Sequence, residues 1–144
     1  MRFLPHQPDL PPIHPHICVL GGLDAIAFYE RAFDAECTLK LLHDDGISVR
    51  YAQLSVFGGR ISMHDEMPDC RGGVLSPEEW PTSFALTVTV TDPDDVNAAM
   101  QRAVEHGAEI VFETVDMREW GVRYGRVRDP FGHVWAFQAM LPCN

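Results

Sequence analysis

The chain has four cysteines, Cys18, Cys37, Cys70 and Cys143, but no Cys-x-x-Cys pair. Their spacing matches neither a zinc knuckle nor a disulfide framework. Cys18 and Cys37 lie in apolar surroundings, where a free thiol acts as a small hydrophobe. Reduced cysteines suit a cytoplasmic protein. Positive charge is scarce: 11 Lys and Arg stand against 21 Asp and Glu, a formal net charge of −10. A nucleic-acid partner needs a basic face, so none is expected. The acidity either favours cationic small molecules or serves solubility. No run of 18 apolar residues exists, so no membrane span or membrane partner is expected. The Gly-x-Ser-x-Gly elbow, the phosphate-cradling glycine loop and His-Glu-x-x-His are all missing. Residues 1–12 hold four prolines and no long apolar core. They read as an extended arm, not a signal peptide.

What is present is enough apolar material for a core: 46% hydrophobic residues in 144, the size of one compact domain. The chain also repeats itself. A shift of 73 residues lays Ala35-Glu36 on Ala108-Glu109, Tyr51 on Tyr124, Leu54 on Val127, Gly59 on Gly132 and Ile61 on Val134. The order of elements repeats too. In the first half a short apolar strand (13–20) meets Gly21-Gly22. A helix follows with Leu23, Ile26, Ala27, Glu30 and Phe33 at threes and fours, ending at Asp34. Three strands come next, at 37–42, 49–57 and 60–64, separated by Asp-Gly and Gly-Gly turns. In the second half a strand (84–90) runs into Thr91-Asp92-Pro93-Asp94, a helix start with a capping side chain. Gly107 stops that helix, and strands follow at 109–115, 121–128 and 133–139.

The expected fold is therefore α+β, two tandem βαβββ modules forming a curved mixed sheet around a cavity. The boundaries are an arm (1–12), a first module (13–65), a linker (66–82) and a second module (83–140), one domain overall.

Several segments carry a family resemblance: His14-Pro15-His16-Ile17, Ala25-Ile26-Ala27-Phe28-Tyr29, Arg31-Ala32-Phe33-Asp34-Ala35-Glu36, Trp120-Gly121-Val122-Arg123-Tyr124-Gly125 and Asp129-Pro130-Phe131-Gly132-His133-Val134-Trp135. Together these resemble the vicinal oxygen chelate superfamily, in its glyoxalase/bleomycin-resistance/dioxygenase branch and among small bacterial glyoxalase-like proteins. The resemblance implies paired βαβββ modules, frequent homodimers and, in metal-dependent members, a divalent ion on up to four ligands. Those ligands sit on the first and last strands of each module. Carried onto this chain, the positions are His14, Met63, one near Ala85, and Ala136. Only His14 is a good ligand there, since Met63 offers a soft thioether and the alanines nothing. A catalytic metal usually needs about three protein ligands. No metal cofactor is therefore expected. The weak metal candidates are His14, His16 and His64, and a slip of one residue points His64 to the other strand face.

The ligand-binding candidates are His14, His16, Met63, Trp120, Arg123 and Tyr124. His14 and His16 are either cavity imidazoles, able to hold a weak metal or act as a base, or polar residues at a strand entrance beside Pro15. Trp120, Arg123 and Tyr124 combine flat contact area with a guanidinium that clamps a carboxylate or stacks on a ring. The alternative for Trp120 is plain packing. Arg126 and Arg128 alternate with Val127 and read as surface or interface cations, with a substrate role as the alternative. Asp129 to Gly132 is turn chemistry, and Trp135 packs on the helix layer.

The resulting expectation is a glyoxalase/bleomycin-resistance-like protein that binds a small molecule in its cavity without the usual catalytic metal. The alternative is a metal-dependent lyase, dioxygenase or isomerase with unusual ligands.

Overall fold

The structure, a computed structural model, describes residues 10–67, 74–77 and 81–143. The start of the expected arm, much of the expected linker and Cys70 lie outside those residues.

The first module runs β1 (His16–Val19), α1 (Gly22–Phe33), β2 (Glu36–Leu42), β3 (Val49–Val56) and β4 (Gly59–Asp65). The second runs β5 (Ala85–Thr89), α2 (Pro93–Glu105), β6 (Glu109–Met117), β7 (Val122–Arg128) and β8 (Val134–Met140). The strands form two four-stranded sheets, ordered β1-β4-β3-β2 and β5-β8-β7-β6. In each sheet the first and last strands of the module pair in parallel and the rest antiparallel. No helix among the described residues is long and apolar enough to cross a membrane.

Helix ends follow local chemistry. Asp34 takes a left-handed φ of 55° and its amide donates to the Tyr29 carbonyl, closing α1. The Asp92 side chain accepts from the Asp94 amide and Pro93 opens α2. β1 starts at His16, later than the apolar run suggests. Pro15 has no amide for a ladder; its carbonyl takes the Ser62 amide, while Ile13 is 92% exposed.

Both helices cover one face of the sheets. Ala25, Ile26, Phe28, Tyr29, Ala32 and Phe33 form the buried side of α1. Across the modules, Tyr29 and Phe33 of α1 meet Trp135 of β8 and Phe33 meets Phe137, while within the first module Phe33 meets Phe57. Each such aromatic pair adds roughly 0.5–1.5 kcal/mol beyond its burial. Trp135 thus packs on the helix layer as its position in the sequence suggests.

Each module also buries one carboxylate. Asp65 accepts from the amides of Gly21, Gly22 and Val49, tying the start of α1 and of β3 to the end of β4. Asp129, in the β7–β8 turn, accepts from the Tyr29 hydroxyl at 2.6 Å, Trp135 Nε1 at 3.0 Å and the amides of Phe131 and His133. Burial, and the Asp129 carboxylate beside it, push the Tyr29 hydroxyl well above the ordinary phenol range. Tyr29 therefore stays a donor and holds the first module onto the second.

Candidate functional site

With the helices on one face, each sheet turns its other face outward. Strand alternation decides what appears there. On the first sheet, Ile17, Val19, Ala52, Leu54, Ile61 and Met63 belong to the core under the helices. The intervening residues, His16, Cys18, Tyr51, Gln53, Ser62 and His64, therefore share the open face. Hydrogen bonds link five of them in two groups. His16 Nδ1 lies 2.6 Å from Ser62 Oγ, and His16 Nε2 lies 2.6 Å from His64 Nδ1. The two imidazoles stack at 4.9 Å, and Tyr51 lies 6.2 Å from His16 on the far side. Gln53 Nε2 donates to the Tyr51 hydroxyl.

Burial, followed by the neighbouring His64 and His14, lowers the His16 pKa below its ordinary value of 6.5. His16 keeps an exposed edge, but both ring nitrogens are turned to partners. A neutral ring has one N–H, so the Ser62–His16–His64 chain runs in one of two directions. Either His16 donates to His64 and accepts from Ser62, or the reverse.

A cavity of about 400 Å³ opens beside this chain, between β1 and the second module. His16, Cys18, Phe84, Leu86, His133 and Val134 line it. His133 Nε2 donates to the Cys18 carbonyl at 2.7 Å, closing its floor across the modules. None of the described lining residues is an acid.

The residues singled out in the sequence are scattered. His14 lies before β1, where its Nδ1 donates to the Pro11 carbonyl. Met63 is fully buried in the core, so the cavity role expected for it is corrected. His64, expected on the far face, shares a face with His16. Trp120 sits in the β6–β7 turn, 69% exposed. Arg123 faces α2, donating to Asp116 at 2.7 Å and to Asn97. Tyr124 lies on the open face of the second sheet, its hydroxyl 2.7 Å from Arg126 Nε. A joint Trp120–Arg123–Tyr124 site is therefore not formed, because successive strand residues point to opposite faces. Ser62, Gln53, Cys18 and His133 were missed. Stepping by two from His64 would have reached Ser62.

The shift of register explains the Met63 error. The ladder pairs Ser55 with Arg60, and Arg128 with Val134. Ser55 and Arg128 are 73 positions apart, but Arg60 and Val134 are 74, because the β7–β8 turn is one residue longer. Met63 thus corresponds to Phe137, Ser62 to Ala136 and His64 to Gln138. With Cys18 beside His64 and Thr89 beside Gln138, His16 corresponds to Thr87.

This mapping tests the divalent metal of the resembled superfamily. The first and last strands offer His16 and His64 in one module and only Thr87 and Gln138 in the other. The two imidazoles are hydrogen-bonded to each other, and a hydroxyl and an amide are poor transition-metal donors. No three His, Cys, Asp or Glu side chains among the described residues gather as a metal site. The donor set does not fit a resident catalytic metal, which needs about three protein ligands.

Two βαβββ modules with an inter-module cavity define a protein of the paired-module type. The sequence pattern of the Glyoxalase/Bleomycin resistance protein/Dioxygenase superfamily matches residues 15–137, and the chain belongs to that family. An uncharacterised protein of Mycobacterium tuberculosis is 38% identical over 130 residues, covering 88% of this chain and 72% of that protein. An Arabidopsis thaliana gene product of known structure is 27% identical, with a TM-score of 0.65 over 89% of this chain and 98% of that one. The fosfomycin resistance protein FosX of Listeria monocytogenes, solved with Mn(II) and sulfate, shares the fold at 17% identity, with a TM-score of 0.67 over 90% of this chain and 91% of that one.

Proposed function

We propose that the chain binds a small, largely apolar or aromatic molecule in the cavity between its modules, without a resident metal. The observation that carries this reading is the position of His16. It lines the cavity and is also the centre of the Ser62–His16–His64 chain. Leu86, Phe84 and Val134 offer an apolar wall, and His16 offers the exposed edge of its ring. A cavity of this size suits a ligand of one or two rings. Net acidity alone favours a cation, but no carboxylate is present in the described lining.

The test uses N-phenyl-1-naphthylamine, a neutral aromatic dye that brightens in apolar sites. Saturable binding at one site per chain is expected. Leu86→Trp, which fills the cavity, should weaken it about tenfold or more, as loss of the apolar wall would. Equal binding by the filled variant would overturn the reading.

A second reading draws on the same chain of bonds. His16 has a lowered pKa and a relay partner on each side, which suits a base that takes up a substrate proton through Ser62 or His64 rather than directly. It predicts that a turnover assay on carbonyl compounds with an acidic C–H loses activity in His16→Gln while dye binding persists. Proton exchange that is unaffected by His16→Gln would exclude it.

A further inference from the structure

The open face of the second sheet carries no imidazole. It carries Arg126 instead. Arg126 extends over two aromatic rings, its guanidinium carbon 5.1 Å from the Tyr124 ring centre and 5.6 Å from that of Phe112. Its Nε donates to the Tyr124 hydroxyl at 2.7 Å. Phe112 and Tyr124 meet edge-on at 5.8 Å, so the platform is itself braced. No carboxylate among the described residues forms an ion pair with Arg126, in a chain with 21 acids. Arg123, three residues earlier, shows the contrast: it faces α2 and is held by Asp116 and Asp94.

Arg126 also lines a cavity of about 380 Å³. Thr82, Ser83, Phe84 and Val134 line both this cavity and the His16 cavity, so the two adjoin along a shared wall. The Thr82 and Ser83 positions bring two hydroxyl-bearing residues to that wall. The Nε of Arg126 is engaged by Tyr124, and the two terminal nitrogens remain to act as a fork in the cavity that Arg126 lines.

We infer that Arg126 is the anion-binding end of the ligand site. The ligand class is then an organic anion: an apolar or aromatic body in the His16 cavity and a carboxylate, sulfonate or phosphonate on the Arg126 fork. This inference rests on the proposed small-molecule cavity and adds the chemistry of its second end. Aromatic stacking holds the guanidinium in place before the ligand arrives, so little side-chain entropy is lost on binding. The net negative charge of the protein makes such a site selective, because an anion gains nothing from the rest of the surface.

The test compares two dyes with one skeleton. N-phenyl-1-naphthylamine is neutral, and 1-anilinonaphthalene-8-sulfonate adds a sulfonate to it. On the full chain, the sulfonate dye should bind about tenfold tighter than the neutral one, the equivalent of one charge-assisted contact. Arg126→Gln should remove that preference and leave the neutral dye unchanged. Arg126→Lys, which keeps the charge but not the fork, should retain part of it. Arg126 is exposed, and unaltered circular dichroism of both variants checks their folding. If the neutral dye fails to bind wild-type protein, the cavity reading itself fails. If it binds but the sulfonate preference is absent, or survives Arg126→Gln, the cavity stands and the anion site is overturned.

Discussion

The two modules share an order of elements and the same use of one sheet face, but they spend their other face differently. In the first module Ser62, His16 and His64 form one hydrogen-bonded set and Gln53 and Tyr51 a second, in contact through the Tyr51 and His16 rings. In the second the corresponding strands present Thr87, Ala136 and Gln138, and the chemistry moves outward to Arg126 on its aromatic platform. Faces turned to the helices are constrained by packing, and a change of size is felt there at once. Faces turned away are free to diverge. A duplicated fold can in this way hold an imidazole end and a guanidinium end around one cleft.

The largest expected effect breaks the modules apart. Asp129 connects them through Tyr29, whereas Asp65 acts within its own module. Asp129→Ala strands a buried phenol and a buried indole N–H and should cost about 3–5 kcal/mol. Asp65→Ala should cost about 2–4 kcal/mol, since it frees three amides at a helix start and a strand start. Urea unfolding of both variants measures the difference. Equal losses would mean that the inter-module bond adds nothing special.

The next variants test the strand register. Met63→His would place an imidazole in the core and should destabilise the fold by about 2–4 kcal/mol. His64→Leu, one residue away on the open face, should cost less than about 1 kcal/mol. Thermal unfolding reads both. A reversed order would mean that Met63 faces the cleft after all.

Close approaches of glycine differ between the modules in the same way. A side chain at Gly22 would sit 2.5 Å from Asp65 Oδ2 and 2.6 Å from Val49 Cγ2, both fixed in place. One at Gly125 would meet the end of Met100 at 2.9 Å, which can swing aside. Gly22→Ala should therefore cost about 2–3 kcal/mol and Gly125→Ala about 1 kcal/mol or less. Comparable losses in unfolding experiments would show Met100 to be as immobile as Asp65.

Much of this fold was legible in the sequence because it depends on periodicity and turn chemistry. The helical spacing of Ile26 and Phe33, the left-handed end at Asp34 and the helix start at Thr91 to Asp94 are local signals, and they led to the observed elements, although Leu23 and Glu30 of the same spacing lie exposed. The site was less legible because it depends on parity. One additional residue in the β7–β8 turn moved the repeat from 73 to 74 and turned Met63 inward and His64 outward. Trp120, Arg123 and Tyr124 are neighbours in sequence, but they point to solvent, to α2 and to the open sheet face. Nothing local marks Arg126 as different from Arg128. The platform beneath it arises only when Phe112 is brought alongside β7 by strand pairing.

The smallest effect concerns a titrating group on the open face of the first module. His16 has a folded pKa below the ordinary 6.5, with burial the main cause, and Thr87 in the other module does not titrate. Above pH about 6.5 the ring is neutral in both folded and unfolded chains, so it adds no pH dependence. As pH falls below that value the unfolded chain takes up a proton that the folded chain resists. Stability is therefore lost on acidification, down to the folded pKa, where the loss levels off. The informative quantity is a difference between proteins. Melting temperatures of the wild type and His16→Gln, taken between pH 7.5 and 5, should converge as pH falls, the wild type losing stability more steeply. Thr87→Val should melt parallel to the wild type throughout. Parallel curves for His16→Gln would mean that the ring titrates as freely as in water. The partners on both its nitrogens would then yield to protonation without cost, and the first module's open face would be no more preorganised than the second's.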